Sequence, residues 1–369
     1  KGNIVVKYLH DLKQIIEINS YTQNKDGVDK VGLQMQKWLE DIGFETKRYQ
    51  RDLIGDHLLF TTPKTNGPKI LLLGHNDTVF PFGTFEGFRE DENWIYGPGV
   101  CDMKGGNIVA LESLRNLHKT NKQITNIDFL LVSDEETGSD DSKFVTLELA
   151  KNYDYCFVFE AAGENLEVVT SRKGVGTYTI SIQGVAAHAG TSYLKGTNAN
   201  LEAAYKLQEL TKLTNLDIGT TVNVGQITGG IGANTISPKC ELLLEIRYTK
   251  NSERDRLLKA LDTITNTSYV DGTKSTLSGL IQRDVMEENH TQLEFVKQLE
   301  EITNTTIPRE QRGGVSDANH VASCGVITLD GFGPFGDGDH TINERALKSS
   351  FTQRISMMSK ILNSIKGEN

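Results

Sequence analysis

Long apolar runs are missing from this sequence. None comes near the roughly 18–20 residues a membrane-spanning helix needs, so no transmembrane helix is expected. Positive charge is also short. The chain carries 39 Lys and Arg against 49 Asp and Glu, a formal net charge of −10. That balance argues against nucleic acid or a membrane surface as a general partner. Cysteine is sparse: Cys101, Cys156, Cys240 and Cys324 are scattered and form no CxxC. They read as buried free thiols. The HExxH pattern of mononuclear zinc proteases is absent, which closes that route. There is no internal repeat and no low-complexity tail. No signal peptide is visible, yet the chain begins at Lys1 without Met, so a removed one fits. Localisation is left open between cytoplasm and periplasm.

What the sequence does contain is enough chain for two domains, 369 residues with 37% hydrophobic content and 35 Gly. Residues 4–18 repeat apolar side chains at helical spacing, and so do residues 27–42, which end at Gly43. Strands are expected at about 44–49, 56–61 and 69–74. Helices then alternate with strands up to about 172. That alternation predicts an α/β fold, a mostly parallel sheet with helices on both faces. The pattern changes after Gly174. Strand 177–183, helix 198–213, strands 220–227 and 240–248, helix 252–265 and strand 277–283 follow. This order suggests an inserted α+β domain of ferredoxin type. Helix 289–302, strand 326–330 and a last helix over 344–365 return to the first style. The boundaries are 1–173 and 286–369 for the interrupted domain and 174–285 for the insert.

The chemistry gathers around residues 71–106. The run Ile70–Leu73 reads as a buried strand, and Gly74 ends it. His75 and Asp77 then fall on one side of an extended segment. Ligand sites of open α/β sheets lie at such carboxyl ends. Asp102 precedes a helical pattern at Ile108, Leu111, Leu114 and Leu117. Glu135 and Glu136 follow the strand 127–132, and Glu160 closes the strand 155–159. His340 follows a glycine-rich loop. Two imidazoles with several carboxylates suit a pair of divalent metals, zinc above all, sharing one bridging carboxylate. Of the adjacent Glu135 and Glu136, one can bind metal while the other faces water; the residues alone do not say which. Taken singly, each piece has a bland reading. GHND is a strand-end turn, the Glu pair a solvated helix start, Asp337 and Asp339 a polar turn beside His340. His10, His57, His118 and His290 lack any companion motif and read as surface or core residues. His320 reads as structural.

The segments GHNDTV, GPGVCDMKGG, SDEETGS, FEAA, AAHAG and GDGDH occur in one order between about residues 74 and 340. In that order they resemble the M20 family of dinuclear zinc exopeptidases and deacylases, and within it glutamate carboxypeptidases of the carboxypeptidase G2 type. The resemblance implies a catalytic domain interrupted by a ferredoxin-like lid and dimerisation domain. It implies two Zn2+ per chain, replaceable by Co2+ or Mn2+. His75, Glu160 and Asp102 would hold one; Glu136, His340 and Asp102 would hold the other, with Asp102 bridging. Glu135 would be the general base, and Asp77 would orient His75. The Asp102–Met103 peptide would be cis. His188 would reach the active site of a second subunit in a homodimer and stabilise an oxyanion. Arg247, Arg283 and Asn234 match positions that bind substrate, and arginine suits a free carboxylate because it pairs bidentately.

The implied reaction is zinc-dependent hydrolysis of an amide bond beside a free-carboxylate amino acid, in a small peptide or an N-acyl amino acid. A glutamate-type carboxypeptidase comes first, and an N-acyl amino acid or diamino acid deacylase second. A metal-binding protein without catalysis ranks last, because Glu135 and every ligand position are present. One departure bears on the substrate. The stretch AAGENLEVV after Glu160 has no lysine where the carboxypeptidase G2 type has one to meet an acidic side chain, and Lys173 comes later. The resemblance therefore carries amide hydrolysis further than glutamate selectivity.

Overall fold

The aliphatic run Ile70–Leu73 has no polar alternation, so a strand made from it must be covered on both faces. In the computed structural model, strand Ile70–His75 is buried at every position, within a six-stranded sheet. The structure describes residues 2–365, with the side chains of 2–6 excepted; the expected apolar contacts at positions 4 and 5 fall outside that description. The sheet order is Glu45–Tyr49, His57–Thr61, Ile127–Val132, Ile70–His75, Tyr155–Val158, Ile327–Leu329. The last four strands pair in parallel, and the first two extend the sheet antiparallel at one edge.

The path through this sheet creates the crevice. From Ile70–His75 the chain crosses by helix Lys104–Asn121 to Ile127–Val132 on one side. It then returns by helix Ser142–Ala150 to Tyr155–Val158 on the other side. Strand order reverses at Ile70–His75, and such a reversal leaves an opening at the carboxyl ends of the strands.

The core beneath is aromatic at its centre. Phe129 is fully buried, its ring centroid 6.5 Å from that of Phe60 and 6.3 Å from that of Phe159. Phe129→Ala should lower the unfolding free energy by about 3–5 kcal/mol, read from urea melts, because it leaves a cavity as well as losing buried area. Helix Lys25–Glu40 stops two residues before the expected Ile42, and a turn carries the chain on to Gly43. Gly43 has φ +92°, and its N–H and that of Phe44 close the last turn onto Glu40 and Leu39. The last helix departs from expectation. It starts at Lys348, not 344, because Arg345–Leu347 is drawn off as a strand against Trp94–Tyr96. No helix among the described residues is long and apolar enough to cross a membrane.

By its contacts the chain divides into two units. One comprises the stretches up to Thr170, Glu288–Arg312 and from Ser316 on; the other comprises Ser171–Glu287 with Gly313–Val315. The second unit has its own antiparallel sheet, ordered Thr221–Gly229, Lys239–Tyr248, Gly174–Gln183, Lys274–Arg283. With helices Ala199–Thr211 and Asn251–Asn266 this is the ferredoxin-like order. Alternation does the sorting. Cys240, Leu242, Leu244, Ile246 and Tyr248 enter the core, while Leu243, Glu245 and Arg247 take the opposite face. The buried Lys206 ammonium donates to the carbonyls of Ile264, Thr265 and Thr267, at the carboxyl end of helix Asn251–Asn266, and pairs with Glu202 at 3.0 Å. A cation there complements the helix dipole.

Candidate metal centre

His75 ends its strand with only 1% of its surface exposed. Gly74 before it leaves room for a close neighbour: a Cβ there would stand 2.2 Å from Asn107 Oδ1. Asn107 uses that space to donate from Nδ2 to the His75 carbonyl, at 2.8 Å. Gly106 does the same for the next helix, where a Cβ would stand 1.9 Å from the Phe159 carbonyl oxygen. The helix Lys104–Asn121 that follows Asp102 thus lies tight against the strand end that leads to Glu160. The Asp102–Met103 peptide bond is cis.

The imidazole of His75 is oriented from behind. Its Nδ1 lies 3.0 Å from the Asp77 carbonyl and 3.3 Å from Asp77 Oδ1. A proton on Nδ1 leaves the Nε2 lone pair facing the site. Nε2 is buried without a hydrogen bond. Around it stand Asp102 Oδ1 at 3.2 Å, Glu160 Oε1 at 3.4 Å and Glu135 Oε2 at 3.8 Å. The other oxygen of Asp102, Oδ2, lies 3.0 Å from His340 Nε2, and Glu136 Oε2 lies 3.1 Å from the same nitrogen.

The spacings at His75, 3.2 and 3.4 Å, come close to those of donors sharing an ion, and those at His340, 3.0 and 3.1 Å, are a few tenths of an ångström shorter. Two donors each about 2.0–2.2 Å from one tetrahedral zinc stand about 3.3–3.6 Å apart. Asp102 offers one oxygen to each imidazole, and a glutamate backs each of them.

Charge leads to the same reading. Burial and then the charge of Asp102 push Glu160 up to about 7. The same two causes hold Glu136 well above the usual carboxylate range. Burial pulls His75 down, but Glu160, Asp102 and Asp77 outweigh it and hold the imidazole well above its ordinary value. Hydrogen bonds to Asp102 and Glu136 raise His340 to about 11. Burial works against ionisation of Asp102, and the two imidazoles overcome it and hold its carboxyl low. The raised values mark a cluster short of positive charge, a deficit that divalent cations would make good.

Asp77 has a second task that the sequence did not show. Its Oδ1 accepts the N–H of Glu135 at 3.3 Å; its Oδ2 accepts the N–H of Glu136 at 3.2 Å and the hydroxyl of Thr22 at 2.7 Å. One carboxylate therefore fixes both His75 and the turn Glu135–Thr137.

Two further acids come into view. Asp339 groups with Asp102 and His340, their ligand atoms all within 4.8 Å of one another, whereas Asp337 pairs instead with Arg345 at 2.8 and 3.0 Å. The GDGDH segment contained that signal, but a polar turn explains it equally well. Glu344 is fully buried and accepts backbone N–H groups from Gly99, Cys101 and Asp102. Nothing in the sequence marks a buried acid at that position. The Cys101 thiol faces this carboxylate, with Sγ 3.5 Å from Oε1. Buried Lys104 donates to the carbonyls of Ile15 and Ile18, both at 2.8 Å, and so ties the end of the first helix to the Asp102 loop. Of the other histidines, His57 is buried against Asp141, its Nε2 2.9 Å from Oδ1, while His290 is exposed.

The remaining sequence candidates lie in the second unit. His188 is exposed, and its Nδ1 accepts the N–H groups of Gly190 and Thr191 at 3.1 and 3.2 Å. In the neutral ring that leaves the proton on Nε2. His188 pairs with Thr235 in a β-bridge, beside Asn234, whose carbonyl accepts the Ala189 N–H. Arg247 is half-buried and held by Glu245, Nε to Oε1 at 2.7 Å, while Arg283 is buried.

Residues 71–364 match the sequence signature of peptidase family M20/M25/M40. The chain belongs to that family. This M20/M25/M40 member is 30% identical over 259 residues to carboxypeptidase G2 of Pseudomonas sp. (strain RS-16), covering 68% of the chain and 62% of that relative. The chain thus spans about three fifths of the length of that relative. It is also similar to the succinyl-diaminopimelate desuccinylase of Rickettsia typhi, at 27% identity over 375 residues, 91% of this chain and 94% of the relative. In fold it resembles the crystal structure of aminopeptidase PepT from Bacillus cereus ATCC 10987, with a TM-score of 0.78, 21% identity, and coverage of 98% and 99%.

Proposed function

We propose that the chain is a zinc-dependent amidohydrolase that cuts an amide bond next to a free-carboxylate amino acid, with two metals per chain. The observation that carries this reading is the division of Asp102. Its two oxygens face two different imidazoles, each backed by a glutamate. His75, Glu160 and Asp102 would hold one ion; His340, Glu136 and Asp102 would hold the other, with Asp339 a further donor within reach. When bound, such a pair lowers the pKa of a shared water and polarises the amide carbonyl.

The protein's own groups do the rest. Asp77 keeps the Nε2 lone pair of His75 directed at the site. Glu135, held at its backbone by Asp77, takes the proton from the attacking water and returns it to the leaving amine. His188 offers its Nε2–H to the developing oxyanion. Asn234 and either Arg247 or Arg283 bind the substrate, an arginine taking its carboxylate; Arg247 must first leave Glu245 to do so.

We also propose a homodimer through the second unit, with His188 completing the opposite subunit's site. Val185, Tyr193, Leu194 and Ile231, in the segments flanking His188 and Asn234, are exposed apolar side chains of the kind that interfaces cover.

Purified protein should contain two zinc ions per chain, lose activity to a chelator and regain it with Zn2+, Co2+ or Mn2+. One ion per chain with His340 unliganded, or activity indifferent to chelation, would overturn the reading.

A second reading within the same chemistry is a deacylase of N-acyl diamino acids. It is favoured by the match to the desuccinylase along nearly the whole of both chains. A panel of N-acyl amino acids, varied in acyl group and in the carboxylate-bearing residue, separates the two by kcat/KM.

A further inference from the structure

Glu344 is a buried acid beside a cluster already rich in carboxylates, an expensive place for one more. Its contacts show what it does there. Oε1 accepts the N–H of Asp102 at 3.0 Å and of Cys101 at 3.1 Å, and Oε2 accepts the N–H of Gly99 at 3.0 Å. Its backbone carbonyl takes the Gly97 N–H at 3.4 Å. The whole segment that delivers Asp102 is therefore hung on one residue. An apolar side chain would leave those N–H groups orphaned in the interior.

The same residue closes the loop that bears His340. The Glu344 N–H donates to the Thr341 carbonyl at 3.2 Å, and the Thr341 N–H and hydroxyl both return to the Gly338 carbonyl, at 3.0 and 2.6 Å. His340 sits inside this loop at φ +61°. Immediately beyond Glu344, Arg345–Leu347 pairs with Gly336–Asp337 and with Trp94–Tyr96, and Arg345 stacks on Trp94 with its guanidinium 3.9 Å from the ring centroid. The base of the loop is thereby fixed on both sides.

Asp102 and His340 are far apart in sequence but meet at 3.0 Å. Glu344 is the strut between them. We propose that Glu344 is a positioning residue that sets the separation of Asp102 and His340 and so tunes the affinity of the metal site they share. The inference rests on the metal-centre reading above.

The test is zinc titration of metal-free protein by calorimetry, with melting temperatures of the metal-free chains alongside. The variants are Glu344→Ala, Glu344→Gln, His340→Ala and, as a control, Asp128→Ala. Asp128 is another buried acid, at the opposite end of its strand, accepting from Thr62 and Tyr153. Glu344→Ala should weaken the His340-dependent site by about 10–100-fold, the usual cost of losing a group that orients a metal ligand, and the other site, which shares only Asp102 with it, by clearly less. Glu344→Gln preserves the shape and should fall between. Its oxygen can still accept from Cys101 and Asp102, but its NH2 faces the Gly99 N–H. Asp128→Ala should lower the melting temperature and leave both affinities alone.

Unchanged affinities in both Glu344 variants would overturn the proposal. So would a proportional fall in both sites tracking the melting temperature, since that marks a merely structural role. If wild type takes up no pair of metals, or His340→Ala binds as wild type does, the metal-centre reading itself fails and this inference falls with it.

Discussion

Glu135→Ala should take kcat down by about 10²–10⁴-fold, the range a positioned general base contributes, while the protein still folds and still takes up its metals. The expectation follows from where the carboxylate stands. Glu135 is buried, 8% exposed, with Oε2 3.8 Å from His75 Nε2. That is farther than the oxygens of Asp102 and Glu160 on the same nitrogen. In the proposed centre it borders the ions and is left free for the proton. Its neighbour Glu136 points instead at His340. On the proposed reading the two glutamates of one short turn divide the roles: Glu136→Ala should cost metal affinity, Glu135→Ala should not. Glu135→Gln, which keeps the shape but cannot carry the proton, should be as inactive as the alanine variant. More than about a tenth of wild-type turnover in either Glu135 variant would refute the role, since it falls far short of what a general base supplies.

The second large effect belongs to His188. His188→Ala should lower kcat by about 10²–10³-fold, the cost of one oxyanion donor, with metal content unchanged. Two N–H groups occupy Nδ1, so the imidazole presents Nε2–H without any need to be charged. Alanine stands on either side, and the residue is exposed. The decisive version mixes subunits. In a dimer with crossed sites, a Glu135→Ala chain and a His188→Ala chain each lack what the other has. One site of each mixed dimer is then whole. Random mixing of equal amounts should restore about a quarter of wild-type activity, since half of two-fold dimers are mixed and one site in each is intact. Mixed dimers that form and stay inactive, or a fully active monomer, would dismiss the shared site.

The cluster that forms the candidate site was more legible in the sequence than the residues that support it, and the reason is physical. Metal ligands in an open α/β sheet sit where strands end, and strand ends are easy to read: Ile70–Leu73 runs out into Gly74 and His75, and Ile127–Val132 into the Glu pair. The ferredoxin-like unit was legible because alternation along Gly174–Gln183 and Lys239–Tyr248 is nearly unbroken. Glu344 was not. A glutamate near an expected helix start looks like any solvated acid, and only a strand pairing from residues 94–96 reveals that the helix begins later and that the acid is inside. Asp77 was half legible. Its spacing from His75 shows one partner, but its hold on the amides of Glu135 and Glu136 depends on a loop some sixty residues away. Local pattern carries strand ends, and contacts distant in sequence carry the supports.

That double grip of Asp77 has a consequence for how the centre can be dissected. One carboxylate steadies the imidazole of His75 and, through two main-chain amides, Glu135 and Glu136, the base and a ligand of the other ion in the proposed centre. Substitutions at His75 and at Glu135 thus share a common anchor, and their effects on free energy should not add. A double-mutant cycle between the two should show coupling of about 0.5–3 kcal/mol, the range for groups joined in one network. With Asp77→Asn as the background, where an NH2 replaces one accepting oxygen, that coupling should shrink to what the direct approach of Glu135 to His75, at 3.8 Å, supplies. The two halves of the reaction, gripping the ions and moving the proton, would then behave as more nearly independent parts that this one side chain had held in step.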